Sequence, residues 1–93
     1  MIQHHLRHLD VDDLIILASI VSPGFCFSDI AKLLSLTPPA ITHRRNKYRE
    51  FIPNFYIDTR FKRGHYIISP ETKVFCLKIK EALNVLLLNQ EAA

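Results

Sequence analysis

The side chains with the most chemical capacity in this 93-residue chain lie between Thr37 and Arg63. In the stretch TPPAITHRRNKYREF, Thr37, Thr42, His43, Asn46 and Lys47 are polar types that reach phosphates and base edges. A little further on, TRFKRG adds Arg60, Lys62 and Arg63. Seven of the twelve Lys and Arg lie between Arg44 and Arg63, opposed only by Glu50 and Asp58. The net charge of +3 is mild in sum but uneven in placement. A solvated charged face would have the same composition. The placement of these groups on a second helix and a following hairpin favours a surface for a polyanion.

Other chemistry has weaker signals. His4, His5 and His8 are metal-capable types, but no Cys or carboxylate completes a site beside them, so they read as a polar lead-in with no metal. Cys26 and Cys76 sit among apolar neighbours and read as two buried free thiols. With only Gly24 and Gly64 there is no glycine-rich phosphate loop, and no nucleophile elbow or paired acid and base is present. The chain therefore reads as a binding protein, not an enzyme, with no cofactor. No apolar run is long enough to cross a bilayer and no signal peptide opens the chain, which predicts a cytoplasmic protein with no membrane partner.

The elements that must position the polar stretch can be read from caps and periodicity. Asp10 caps a helix from Val11 to about Ser22, with Leu14, Ile15, Leu17, Ala18 and Val21 as its apolar face. Pro23-Gly24 ends it, and Phe25 and Phe27 fill the gap to the next helix. Ser28 caps a short helix carrying Ile30, Ala31, Leu33 and Leu34. After the break at Ser35-Leu36, Thr37 caps a longer helix, Pro38 takes its first position, and it runs to about Phe51. Ile41, Arg45, Tyr48 and Ile52 share its inner face, where Arg45 is the misfit, expected to reach out past Tyr48. Thr42, His43, Asn46, Lys47 and Arg49 face outward. The pair is a helix-turn-helix whose second helix suits a major groove.

Beyond Pro53-Asn54, the runs 55–57 and 65–68 predict a β-hairpin with the basic tip Thr59 to Gly64. Ser69 and Pro70 then start a helix reaching about Gln90. Its stripe of Val74 or Phe75, Leu77 or Lys78, Ile79, Ala82, Leu83, Leu86 and Leu87 is long for so small a domain. A helix of roughly 20 residues spans about 30 Å, so the excess apolar surface predicts a partner. The simplest partner is a second copy, through Phe75, Ile79, Leu83, Leu86 and Leu87; the other arrangement folds the helix onto its own domain. The expected fold is mainly α with a small β-hairpin: a winged helix-turn-helix over 1–69, then a linker and dimerisation helix over 70–93.

On these residues the chain resembles the N-terminal DNA-binding domain of LysR-type transcriptional regulators. LDVDDLIILASIV is similar to that family's first helix. FSDIAKLLSLTPPAITHRRNKYREFI is similar to its helix-turn-helix, with Ala31, Leu34, Pro39, Ala40, Ile41 and Thr42 on pattern positions. FYIDTRFKRGHYIISPET resembles its wing and the start of its linker helix. The resemblance implies a bacterial, dimeric regulator that binds double-stranded DNA. By the same resemblance, contacts fall at Pro38, Pro39, Thr42 and His43 in the groove and at Arg60, Lys62 and Arg63 in the wing. It also implies dimerisation through the linker helix. The chain departs from the pattern at Pro38, where the family has Gln; at His43, where it has Arg; and at Arg45, where it has an aliphatic residue. Pro53 replaces a Gly, Glu71-Thr72 a small pair, and the loop 23–26 is one residue longer. The family's effector-binding domain would follow the linker helix. The chain is thus either a fragment or a free-standing module, one able to pair with a full-length relative as a heterodimer. The competing function is a protein–protein module that docks another regulator without reading DNA.

Overall fold

The computed structural model describes residues 9–60 and 65–92, with the side chains of the last helix as far as Leu86. Among them are four helices and one two-stranded antiparallel hairpin. Helix α1 spans Val11–Ile20. Asp10 caps it: its carboxylate accepts from the Asp13 N–H at 2.8 Å, and the Asp13 carboxylate accepts from the Asp10 N–H at 3.1 Å. Two of the orphan donors of the first turn are thereby satisfied reciprocally. The run LIILASIV is apolar nearly all round, so the face expected from periodicity is only one of several it offers. Packing selects Ile16, Leu17 and Ile20, with Asp13 on the same buried face. Of the residues expected to face the core only Leu17 is fully buried; Leu14, Ala18 and Val21 lie at its margin. At the far end Tyr66 donates its hydroxyl hydrogen to the Ile20 carbonyl, which has no partner within the helix.

Helix α2 spans Phe27–Leu33 and starts earlier than its sequence implies, with Cys26 as the N-cap and Ser28 already in the first turn. Phe25 explains the shift. It is buried, edge-on to Phe27 at 4.6 Å and to Tyr66 at 5.8 Å, and this cluster draws Phe27 into the helix. Ser35 adopts φ +57 and turns the chain out of α2. Helix α3 spans Pro38–Phe51; the Thr37 side chain caps it by accepting from the Ala40 N–H at 3.4 Å.

The strands are short: β1 is Ile57–Asp58 and β2 is Ile67–Ile68, with Ile57 opposite Ile68. Helix α4 then runs from Pro70 to Ala92. Ser69 Oγ accepts from the Thr72 N–H at 3.2 Å, and buried Thr72 accepts in turn from the Tyr56 N–H at 3.0 Å. The cap of α4 and the root of the hairpin are thus one hydrogen-bonded unit.

The core lies where α1, α3 and α4 meet, with Ile16, Leu17, Ile20, Tyr48, Ile52, Cys76 and Ile79 in one cluster. Three residues of the expected dimer seam touch this core. Ile79 is 9% exposed, and Phe75 and Leu83 pack against the same core. The first half of α4 spends that stripe on its own domain. Leu86, one turn further, is 57% exposed, and the Leu87 side chain lies outside the described residues. Neither Cys26 nor Cys76 is in a disulfide. Cys76 is fully buried, and burial pushes its pKa up to about 12; Cys26 is only half-buried. Among the described residues no helix is long and apolar enough to cross a membrane.

Candidate nucleic-acid interface

Three apolar anchors set the rotation of α3: Ile41, Tyr48 and Ile52 are buried. The opposite side therefore faces solvent, and it carries Pro39, Thr42, His43, Asn46 and Glu50 as one stripe, by the three- and four-residue spacing of a helix. Thr37 and Pro38 lie exposed at its N-terminal end. Six of the expected contact residues, Thr37, Pro38, Pro39, Thr42, His43 and Asn46, are thus brought together on one open surface.

The cationic side chains of α3 are arranged differently from expectation. Arg44 turns toward the start of α1, where its Nη1 donates to Asp10 and to Asp13, each at 2.8 Å; its Nη2 lies 3.9 Å from Asp12. Lys47, expected among the outward DNA contacts, is half-buried and ion-paired with Asp13. Tyr48 donates its hydroxyl hydrogen to the same carboxylate at 2.6 Å. Asp13 is 0% exposed. Burial works to raise its pKa, but the bonds from Lys47, Tyr48 and Arg44 outweigh it, and Asp13 stays below the ordinary 3.8. Asp10, bonded by Arg44 and by the Asp13 N–H, falls to about 2. Burial and the Asp13 bond push the Tyr48 phenol up.

On the other flank Arg45 is half-buried. Its guanidinium lies over the Phe27 ring at 4.4 Å and donates to the Ile57 carbonyl at 3.1 Å. That bond ties α3 to β1. Its Nε is buried without a hydrogen-bond partner, which the ring offsets in part through cation–π attraction. Arg49, four residues on, is exposed and donates to Asn46.

Between α3 and the hairpin lies an open cleft of about 320 Å³ lined by Arg45, Tyr56, Ile57, Asp58, Thr59 and Arg60. Arg60 is exposed but bonded to Asp58, Nη2 to Oδ2 at 2.6 Å, which holds Asp58 down to about 2. Lys62 and Arg63, expected in the wing, like His4, His5 and His8, lie outside the described residues. Among the described residues no three His, Cys, Asp or Glu side chains group as a metal site.

Sequence reasoning missed the cluster of Asp10 and Asp13 with Arg44, Lys47 and Tyr48. Its signal was present: Asp13 lies three and four residues before Ile16 and Leu17, on a core-facing side where a charge requires a partner of opposite sign. No family model, curated protein or solved structure matches the chain.

Proposed function

We propose that this chain is a winged helix-turn-helix module of a dimeric transcription regulator that binds double-stranded DNA, as its resemblance to the LysR-type domain implies. In this reading α2 and α3 form the helix-turn-helix. The stripe Pro39, Thr42, His43 and Asn46 enters the major groove. The hairpin, with Arg60, Lys62 and Arg63, contacts the adjacent backbone or minor groove. The observation that supports it is the open polar stripe on α3, held over three buried anchors, with exposed Arg49 beside it. Thr, His and Asn there can donate to and accept from base edges, while Arg49 and Arg60 serve phosphates. Arg44 and Lys47 orient α3 against α1 and add little direct phosphate contact. No part of this reading needs a catalytic group or cofactor, and a cytoplasmic location follows from a chromosomal target.

The test is retardation of duplex DNA at several salt concentrations. Specific binding survives an excess of competitor duplex and falls steeply as salt rises, because phosphate contacts release counterions. Absence of retardation at low salt removes the reading. The second reading, a module that docks another regulator without reading DNA, is favoured by one feature: two of the four cations on α3 are committed to carboxylates of α1.

A further inference from the structure

A groove of about 360 Å³ opens between the end of α3 and the first turns of α4. Ile52 and Pro53 form one wall; Pro70, Val74 and Phe75 form the other, with Glu71 and Lys78 on the same side. The lining is almost wholly apolar, and the local chemistry explains why. Pro53 and Pro70 have no N–H, so neither wall offers a backbone donor there. The nearby hydroxyls are engaged elsewhere: Ser69 and Thr72 hydrogen-bond each other at 2.6 Å, and Thr72 also accepts from the Tyr56 N–H.

Both walls are fixed before any ligand arrives. The Phe55 N–H donates to the Ile52 carbonyl at 3.1 Å, which closes the turn through Pro53 and Asn54. The Phe75 ring stands edge-on to Phe51 at 5.8 Å, and the Ser69 cap holds the start of α4. A preformed apolar cleft of this size is at the small end of those that hold small molecules, and preorganisation spares the ordering cost of binding. Val74 is 52% exposed, so apolar surface remains for a ligand to cover.

The two charged residues choose the head group. Positions 71, 74, 75 and 78 share one face of α4, and Glu71 and Lys78 stand about 10 Å apart along its axis. The Glu71 carboxylate accepts from Asn54 Nδ2 at 3.5 Å. Lys78 is exposed and makes no ion pair with another described residue. The groove thus has an unanswered cation at one end and apolar wall along the rest.

We infer that this groove binds a medium-chain aliphatic carboxylate, its alkyl chain along Ile52, Val74 and Phe75 and its carboxylate paired with Lys78. The site lies at the opposite end of α3 from Thr37 and Pro38, and it does not depend on whether the protein reads DNA.

Titration of the isotope-labelled chain with octanoate, followed through its amide resonances, tests it. Saturable shifts are expected at Ile52, Val74, Phe75 and Lys78. Hexanoate binds roughly fifteenfold more weakly, about fourfold for each methylene withdrawn from the groove. Replacing octanoate by octanol, or Lys78 by Gln, weakens binding about fivefold, the scale of an exposed ion pair. Lys78→Gln leaves the affinity for octanol unchanged, which a merely structural role of Lys78 would not do. Val74→Glu, at an exposed position, abolishes binding while circular dichroism shows the helices intact. No saturable shift up to millimolar octanoate, or shifts centred outside the groove, overturn the inference. So does a Lys78→Gln loss that is equal for octanol and octanoate. Octylammonium binding more tightly than octanoate would give the polar end to Glu71 and overturn it as well.

Discussion

Asp13 is the residue on which the arrangement of α1 and α3 turns. A carboxylate with no solvent exposure holds Arg44, Lys47 and Tyr48, all from α3, and also accepts from the Asp10 N–H at the start of its own helix. Asp13→Ala leaves two cations and a phenol facing an apolar gap. Removing one partner from a buried pair costs about 3 kcal/mol where, as here, the remaining partners keep some access to water. Tyr48→Phe removes a single bond to a charged group and costs about 2 kcal/mol. Chemical denaturation measures both. The pH dependence has a definite sign. Asp10 and Asp13 are depressed in the folded state, so their contribution is present above the ordinary 3.8 and is lost as pH falls toward about 2 for Asp10. The parent should lose stability between pH 4 and about 2, and Asp10→Asn/Asp13→Asn should show a flatter curve over the same range. At Cys76 the raised pKa and full burial predict that a thiol reagent modifies it only after unfolding.

At the scale of elements, what could be read in advance is what is decided locally. Asp10, Thr37 with Pro38, and Ser69 with Pro70 each start a helix where expected, because a cap needs only its own first turn. Where choice depended on distant partners, reading failed. For α1 the periodicity pointed to Leu14, Ile15, Leu17, Ala18 and Val21, whereas packing in the fold buries Ile16, Leu17 and Ile20. Ser28 is a better cap than Cys26 by type, yet the Phe25–Phe27–Tyr66 cluster sets the start of α2. Arg45 looked like an error on a buried face and is instead the bond from α3 to β1. Of the candidate interface, the exposed Thr42, His43 and Asn46 were legible from periodicity; the diversion of Lys47 to Asp13 required the tertiary fold. The turn after α2 supports a further expectation. Ser35 sits at φ +57, where a Cβ is strained, so Ser35→Gly should stabilise the protein by about 0.5 kcal/mol, seen as a higher melting temperature.

For the whole molecule, the reading joins a polar stripe on α3, a neighbouring hairpin and a helix whose ends leave apolar surface open. If DNA is the ligand, Thr42→Ala and His43→Ala weaken specific duplexes more than random ones. Arg60→Ala weakens both alike and flattens the salt dependence, as loss of a phosphate contact does. If two copies pair through α4, the site they read has two-fold symmetry, since the protein's axis is carried over to its half-sites. The measurement that bears most directly on this account is selection of bound duplexes from a random oligonucleotide pool by the whole chain. The account predicts convergence on a two-fold symmetric consensus whose half-sites lose affinity in the Thr42→Ala variant. A pool that stays random after repeated rounds, with no duplex retained at low salt, would contradict it.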